Sequence, residues 1–146
     1  MGKKNNSYNT RVTKGGIVFD SNFEYKLLTG TNLEAFGKYH PGPISYRVNK
    51  VRKYHPDFVL ETPFDTYYLE AKGRFIFRAD MNKYLDIRES LKPNEKLIFI
   101  FENPKTPIPG SKPRKDGTRL NNGEWADKEG FTHITMAQVD DFISNL

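Results

Sequence analysis

Apolar residues recur along this chain at two spacings, and the spacing assigns most of the elements. Ile44, Tyr46 and Val48 alternate with polar positions that include Arg47 and Asn49, which predicts one strand over residues 44–53. Asp57-Phe58-Val59-Leu60-Glu61 and Thr66-Tyr67-Tyr68-Leu69-Glu70-Ala71-Lys72 flank the turn residues Thr62-Pro63-Phe64-Asp65, so the two runs read as a hairpin. Leu97-Ile98-Phe99-Ile100-Phe101 is unbroken apolar sequence, the mark of a strand buried on both faces. Steps of three and four link Met81, Tyr84, Leu85, Arg88 and Leu91, predicting a helix from about Arg78 to Leu91 that Pro93-Asn94 ends.

Helix signals fill in the rest. Ser21-Asn22-Phe23-Glu24 has the S-x-x-E form of a capping box, and Phe23, Leu27 and Leu28 supply an apolar face behind it. Gly30 or Gly37 closes that helix, and the run from Lys38 to Pro43, with His40-Pro41-Gly42-Pro43, marks a turn. Residues 102–121 carry four prolines and many basic residues and read as a long loop. A short helix over 122–129 ends at Gly130, and Phe131–Ile134 forms a last strand. Thr135-Met136-Ala137-Gln138 then caps a closing helix with Val139, Phe142 and Ile143 inward. The order α-β-β-β-α-β-α-β-α predicts an α/β fold, with a mixed central sheet flanked by helices. Residues 1–16, polar and basic, are expected to be a flexible arm, and 17–146 a single domain.

Composition narrows the class. A chain of 146 residues buries roughly 70% of its unfolded surface, and aromatic side chains at 14% supply much of that core. The absence of cysteine excludes disulfides, zinc-thiolate sites and thiol nucleophiles. No apolar run reaches spanning length and no apolar leader follows Met1, so a soluble, cytoplasmic protein without membrane contact is expected. The net charge of +5 is moderate, but its placement is informative. Lys3, Lys4, Arg11 and Lys14 lie in the arm, Lys50, Arg52 and Lys53 precede Asp57, and Lys112, Arg114, Lys115 and Arg119 lie in the long loop. Basic segments around acidic groups suit a polyanionic substrate; taken singly, each is equally an ordinary solvated surface.

The acidic groups are Asp57 and Glu70, with Lys72 beside them. Side chains alternate along a strand, so Glu70 and Lys72 share a face. The thirteen positions from Asp57 to Glu70 accommodate two short strands and a turn, bringing both carboxylates within reach of one cation. A hard ion such as Mg²⁺ takes carboxylate and carbonyl oxygens, and the Ala71 carbonyl is a further candidate ligand. Such an ion activates water and stabilises charge on a phosphodiester. The competing reading is a cross-strand ion pair worth ~0.2–1 kcal/mol. Glu24 either closes its capping box or turns toward Asp57 to bind a second metal or its water, with Glu34 as an alternative. His55 stands two before Asp57, within reach of a phosphate, but His40, His55 and His133 have no matched partners and read as surface or hydrogen-bonded structural residues. No G-x-S-x-G or P-loop sequence occurs.

Tyr54-His55-Pro56-Asp57-Phe58, followed by Leu69-Glu70-Ala71-Lys72-Gly73, resembles the P-D…(D/E)-x-K nuclease superfamily. The helix ending Ile87-Arg88-Glu89, the strand Leu97–Phe101 and the segment Gly123-Glu124-Trp125 to Gly130-Phe131 extend the likeness. Over about residues 19–134 the chain resembles the bacteriophage endonuclease I family of Holliday-junction resolving enzymes. The resemblance implies a restriction-endonuclease-like core, a divalent metal (Mg²⁺ or Mn²⁺), a homodimer, and hydrolysis of branched DNA. It implies that Asp57 and Glu70 ligate metal, that Lys72 orients water or steadies transition-state charge, and that Glu24 completes the metal site. The stretch between Tyr46 and Asp57 is shorter than the family's, which there carries the bridging strand of an exchanged dimer. No recognition helix is evident, so the arm and Arg74, Arg78, Lys83 and Arg88 are expected to hold phosphates by shape. The alternatives are a general or sequence-specific nuclease on the same core, or a non-catalytic nucleic-acid-binding or capsid-assembly protein.

Overall fold

The computed structural model describes residues 13–14, 16–48 and 50–146. Its elements are β1 (Thr13–Lys14), β2 (Ile17–Val18), α1 (Asn22–Gly30), α2 (Leu33–Phe36), β3 (Lys38–Tyr39), β4 (Ile44–Arg47), β5 (Val51–Tyr54) and β6 (Phe58–Glu61). There follow β7 (Thr66–Lys72), α3 (Arg78–Ser90), β8 (Glu95–Phe101), α4 (Asn122–Glu129), β9 (Thr132–Thr135), a 3₁₀ turn at Met136–Gln138, and α5 (Val139–Ser144). The fold is α/β: a five-stranded mixed sheet of order β3-β6-β7-β8-β9, flanked by helices. β6 runs antiparallel to both β3 and β7, while β8 is parallel to β7 and β9.

The period-two alternation of β8 divides the core. Leu97, Phe99 and Phe101 face one side, with Met81, Tyr84 and Ile87 of α3 and Trp125 of α4. Ile98 and Ile100 face the other, with Phe58, Leu60 and Leu69 from the hairpin and Leu27, Leu33 and Val139 from the helices there. The β7-α3-β8 and β8-α4-β9 crossovers step the same way across the sheet. A single handedness therefore places α3 and α4 on one face, as observed. Gly130, at φ 78°, ends α4 in the left-handed conformation, and the Phe131 N–H then reaches back to the Ala126 carbonyl at 2.8 Å.

Two expectations need correction. Residues 44–53 are not one strand: β4 and β5 form a separate antiparallel hairpin, pairing Ile44 with Tyr54 and Arg47 with Val51. Both arms alternate, and the reversal at Val48–Lys50 contains no glycine or proline, so periodicity does not reveal it. The turn expected before Pro43 begins with β3, which pairs Tyr39 with Phe58. Of the arm expected over residues 1–16, Thr13–Lys14 form β1 and pair with β2, while residues 1–12 and 15 lie outside the described residues.

Candidate functional site

The site lies where β6 begins and β7 ends. The ladder pairs Phe58 with Leu69. One step back, the ladder has stopped, and the Asp57 carboxylate replaces the missing strand: its Oδ2 accepts the Ala71 N–H at 2.9 Å. The N–H and C=O of a strand residue point the same way. The Ala71 carbonyl therefore faces the Asp57 side, while the Lys72 carbonyl faces away and accepts the Glu102 N–H at 3.0 Å. The Asp57 carbonyl in turn accepts the His40 N–H at 2.9 Å, tying the start of β6 to the end of β3.

Glu70 and Lys72 share a face, with Lys72 Nζ 3.5 Å from Glu70 Oε1. Glu70 is 7% exposed, and its carboxylate is held by two phenols. Tyr84 of α3 donates to Oε1 at 2.7 Å, and Tyr54 of β5 donates to Oε2. Burial first, and then the Glu70 charge, push both phenols well above the ordinary tyrosine value, so they remain donors at neutral pH. The Lys72 ammonium also sits 5.5 Å from the Tyr84 ring centre and 5.6 Å from that of Phe75. Those contacts stabilise a cation against the aromatic floor.

Asp57 bears the cost of this crowding. Burial, then the charges of Glu70 and Glu24, push its carboxyl up to about 9, although the Ala71 N–H and Lys72 favour ionisation. In the absence of a cation this environment favours the protonated form of Asp57.

Glu24 caps α1 only in part, and its carboxylate is shared between Ser21 and the Tyr39–His40 pair. Its N–H donates to Ser21 Oγ at 3.1 Å, and its Oε1 accepts from the Ser21 hydroxyl at 3.0 Å, not from the Ser21 N–H. Its Oε2 accepts the Tyr39 hydroxyl at 2.6 Å and lies 3.7 Å from His40 Nε2. Asp20 completes this group, its Oδ2 3.3 Å from the same His40 nitrogen. Among the described residues, Asp20, Glu24 and His40 form the group of three acidic or imidazole side chains whose ligand atoms lie within 4.8 Å of one another. Glu24 therefore influences Asp57 through its charge while its direct partners lie elsewhere. Sequence reasoning missed Asp20 and took His40 as structural. His40 stacks on Tyr39 at 3.9 Å and has φ 48°, a conformation uncommon for a residue with a side chain. No spacing rule in the sequence signals it.

The expected phosphate-holding residues differ in their surroundings. Arg74 is exposed between β7 and α3, and Arg78 is exposed at the first position of α3. Lys83 lies over the Tyr84 ring at 5.1 Å. Arg88 is committed to packing, its guanidinium 4.3 Å over Phe131 while it donates to the Glu129 carbonyl. Lys3, Lys4 and Arg11 fall outside the described residues, as does the Lys14 side chain. Glu34 is exposed on α2. Among the described residues no helix is long and apolar enough to cross a membrane. Comparison with protein-family models and with curated proteins finds no match for this chain.

Proposed function

We propose that this chain is a metal-dependent endonuclease of branched DNA, acting as a homodimer on a restriction-endonuclease-like core. The observation that carries the reading is the Asp57–Glu70–Lys72 group at the β6–β7 junction, where Asp57 accepts the Ala71 N–H and burial, then the charges of Glu70 and Glu24, push its carboxyl up. Carboxylates crowded this way fit a hard divalent cation, Mg²⁺ or Mn²⁺, because such an ion removes the repulsion that keeps the proton on. Asp57, Glu70 and the Ala71 carbonyl would hold it, with Glu24 near enough to act on Asp57 through its charge. Bound there, the cation would supply Lewis-acid stabilisation of phosphate charge and a more acidic water.

The chain's own residues supply the rest. Tyr54 and Tyr84 fix the Glu70 carboxylate so that it does not swing out to solvent. Lys72, seated on the rings of Phe75 and Tyr84, presents an ammonium to the attacking water or to charge developing on the phosphate. Asp57 would give up its proton to solvent on ligating the cation. The leaving group is a 3′-hydroxyl, and a 5′-phosphate remains. The test compares four-way junction, nicked and linear duplex DNA, with Mg²⁺ and with chelator. Cutting of the junction alone, lost with chelator, supports the reading. A wild-type protein that cuts no DNA in Mg²⁺ or Mn²⁺ overturns it.

A further inference from the structure

The segment Gly73–Phe77, which connects Lys72 to α3, is built unlike an ordinary loop. Phe75, at its middle, is 3% exposed and sits 5.1 Å from the Trp125 ring, with Phe99, Phe101 and Tyr84 also around it. That anchor fixes the backbone on both sides. The next two residues, Ile76 and Phe77, point outward and are 60% and 66% exposed. Phe77 also occupies the N-cap position of α3, where a polar side chain normally accepts a backbone N–H. A phenyl ring offers no acceptor there and buries little surface. Folding therefore gains nothing from Phe77, and a residue that breaks a local rule without a structural return points to a surface role.

The surroundings specify the partner. Arg74 and Arg78 bracket the apolar pair. Arg78 is aimed by a hydrogen bond from its Nε to the Pro109 carbonyl at 3.3 Å. Beside Ile76 opens a hollow of about 400 Å³ lined by Arg74, Phe75, Ile76, Thr106, Pro107 and Pro109. Cations on either side of an apolar tip match a nucleic-acid strand, whose phosphates alternate with flat apolar bases. Ile76 and Phe77 carry no donor or acceptor, so they cannot read a base edge. In a continuous duplex the base faces are covered by their neighbours, so only unstacked bases offer a surface. Ile76 lies four residues beyond Lys72, at most about 14 Å of extended chain. That reach corresponds to about four base steps at the 3.4 Å rise of a strand.

We propose that Ile76 and Phe77 form an apolar wedge that stacks on base faces left unstacked at a DNA branch, with Arg74 and Arg78 holding the phosphates on either side. The inference rests on the nuclease reading for the position of the cut phosphate, and it assigns branch selectivity to this wedge.

The test uses the full chain in chelator, with a four-way junction carrying 2-aminopurine at the branch and a linear duplex of the same sequence. Phe77→Ser combined with Ile76→Ser removes the wedge and installs a polar N-cap, so the variant is expected to melt no lower than wild type. Junction affinity is expected to fall about 10- to 100-fold, duplex affinity to stay within about twofold, and the 2-aminopurine signal seen on wild-type binding to disappear. Phe77→Trp is expected to restore that signal. Phe64→Ala, at the exposed β6–β7 turn, is expected to change neither affinity. Junction binding by the double-serine variant equal to wild type overturns the wedge, and does so while wild-type cleavage in Mg²⁺ leaves the nuclease reading standing. A variant that turns monomeric while wild type is dimeric, with unchanged junction affinity, assigns the patch to a second copy and also overturns it. A wild type that binds neither DNA overturns both readings.

Discussion

Replacing Asp57 by Asn should make the metal-free protein more stable and inactive. Asn retains an oxygen for the Ala71 N–H, so the backbone at the β6–β7 junction is preserved. What it removes is a carboxyl pushed up to about 9 from an ordinary 3.8. A folded-state value above the unfolded one means that the folded chain keeps a proton the unfolded chain has lost. The associated stability is fully present below 3.8 and is lost as pH rises toward 9. At pH 7 the interval above the ordinary value is about three pH units, or at most about 4 kcal/mol at 1.36 kcal/mol per unit. Water at the partly open side chain screens this to about 1–2 kcal/mol. For a chain of this length the gain in Tm is about 3–8 °C. The assay is thermal unfolding of wild type and Asp57→Asn in chelator at pH 5, 7 and 9. The variant's advantage is expected to grow across that series, and added Mg²⁺ should stabilise only the wild type. An advantage that is absent at pH 9, or that does not change with pH, would refute the account of a crowded carboxyl.

Further outcomes follow from the same geometry. Lys72→Ala is expected to lower cleavage at least about 10²-fold while leaving junction binding intact; cutting at the wild-type rate would remove Lys72 from the chemistry. Mg²⁺ affinity, measured by calorimetry, should rise with pH by up to about tenfold per unit from pH 5 until Asp57 is ionised near 9, with a proton released on binding. Phe99 is fully buried and its ring meets Phe75, Tyr84, Trp125 and Phe131, so Phe99→Ala should cost about 3–5 kcal/mol in denaturant unfolding.

Periodicity and capping rules determined much of this molecule from its sequence. The continuous run at 97–101 is the strand whose alternate residues enter opposite core clusters. The S-x-x-E motif does place Ser21 as N-cap of α1. Two residues of separation on a strand do put Glu70 and Lys72 on one face. Each of these is a local property, set by the fixed repeat of a strand or helix and readable within a few residues. What the tertiary structure decided is which distant groups meet. That Glu70 is held by Tyr54 and Tyr84, that Asp57 stands in for a strand partner of Ala71, and that Glu24 joins Asp20 and His40 depend on contacts 14 to 20 residues apart along the chain. A side-chain pattern encodes which face turns inward but not what that face will touch. The split of 44–53 into β4 and β5 is not legible in the sequence for the same reason, because a chain reversal leaves the alternation of each arm unchanged.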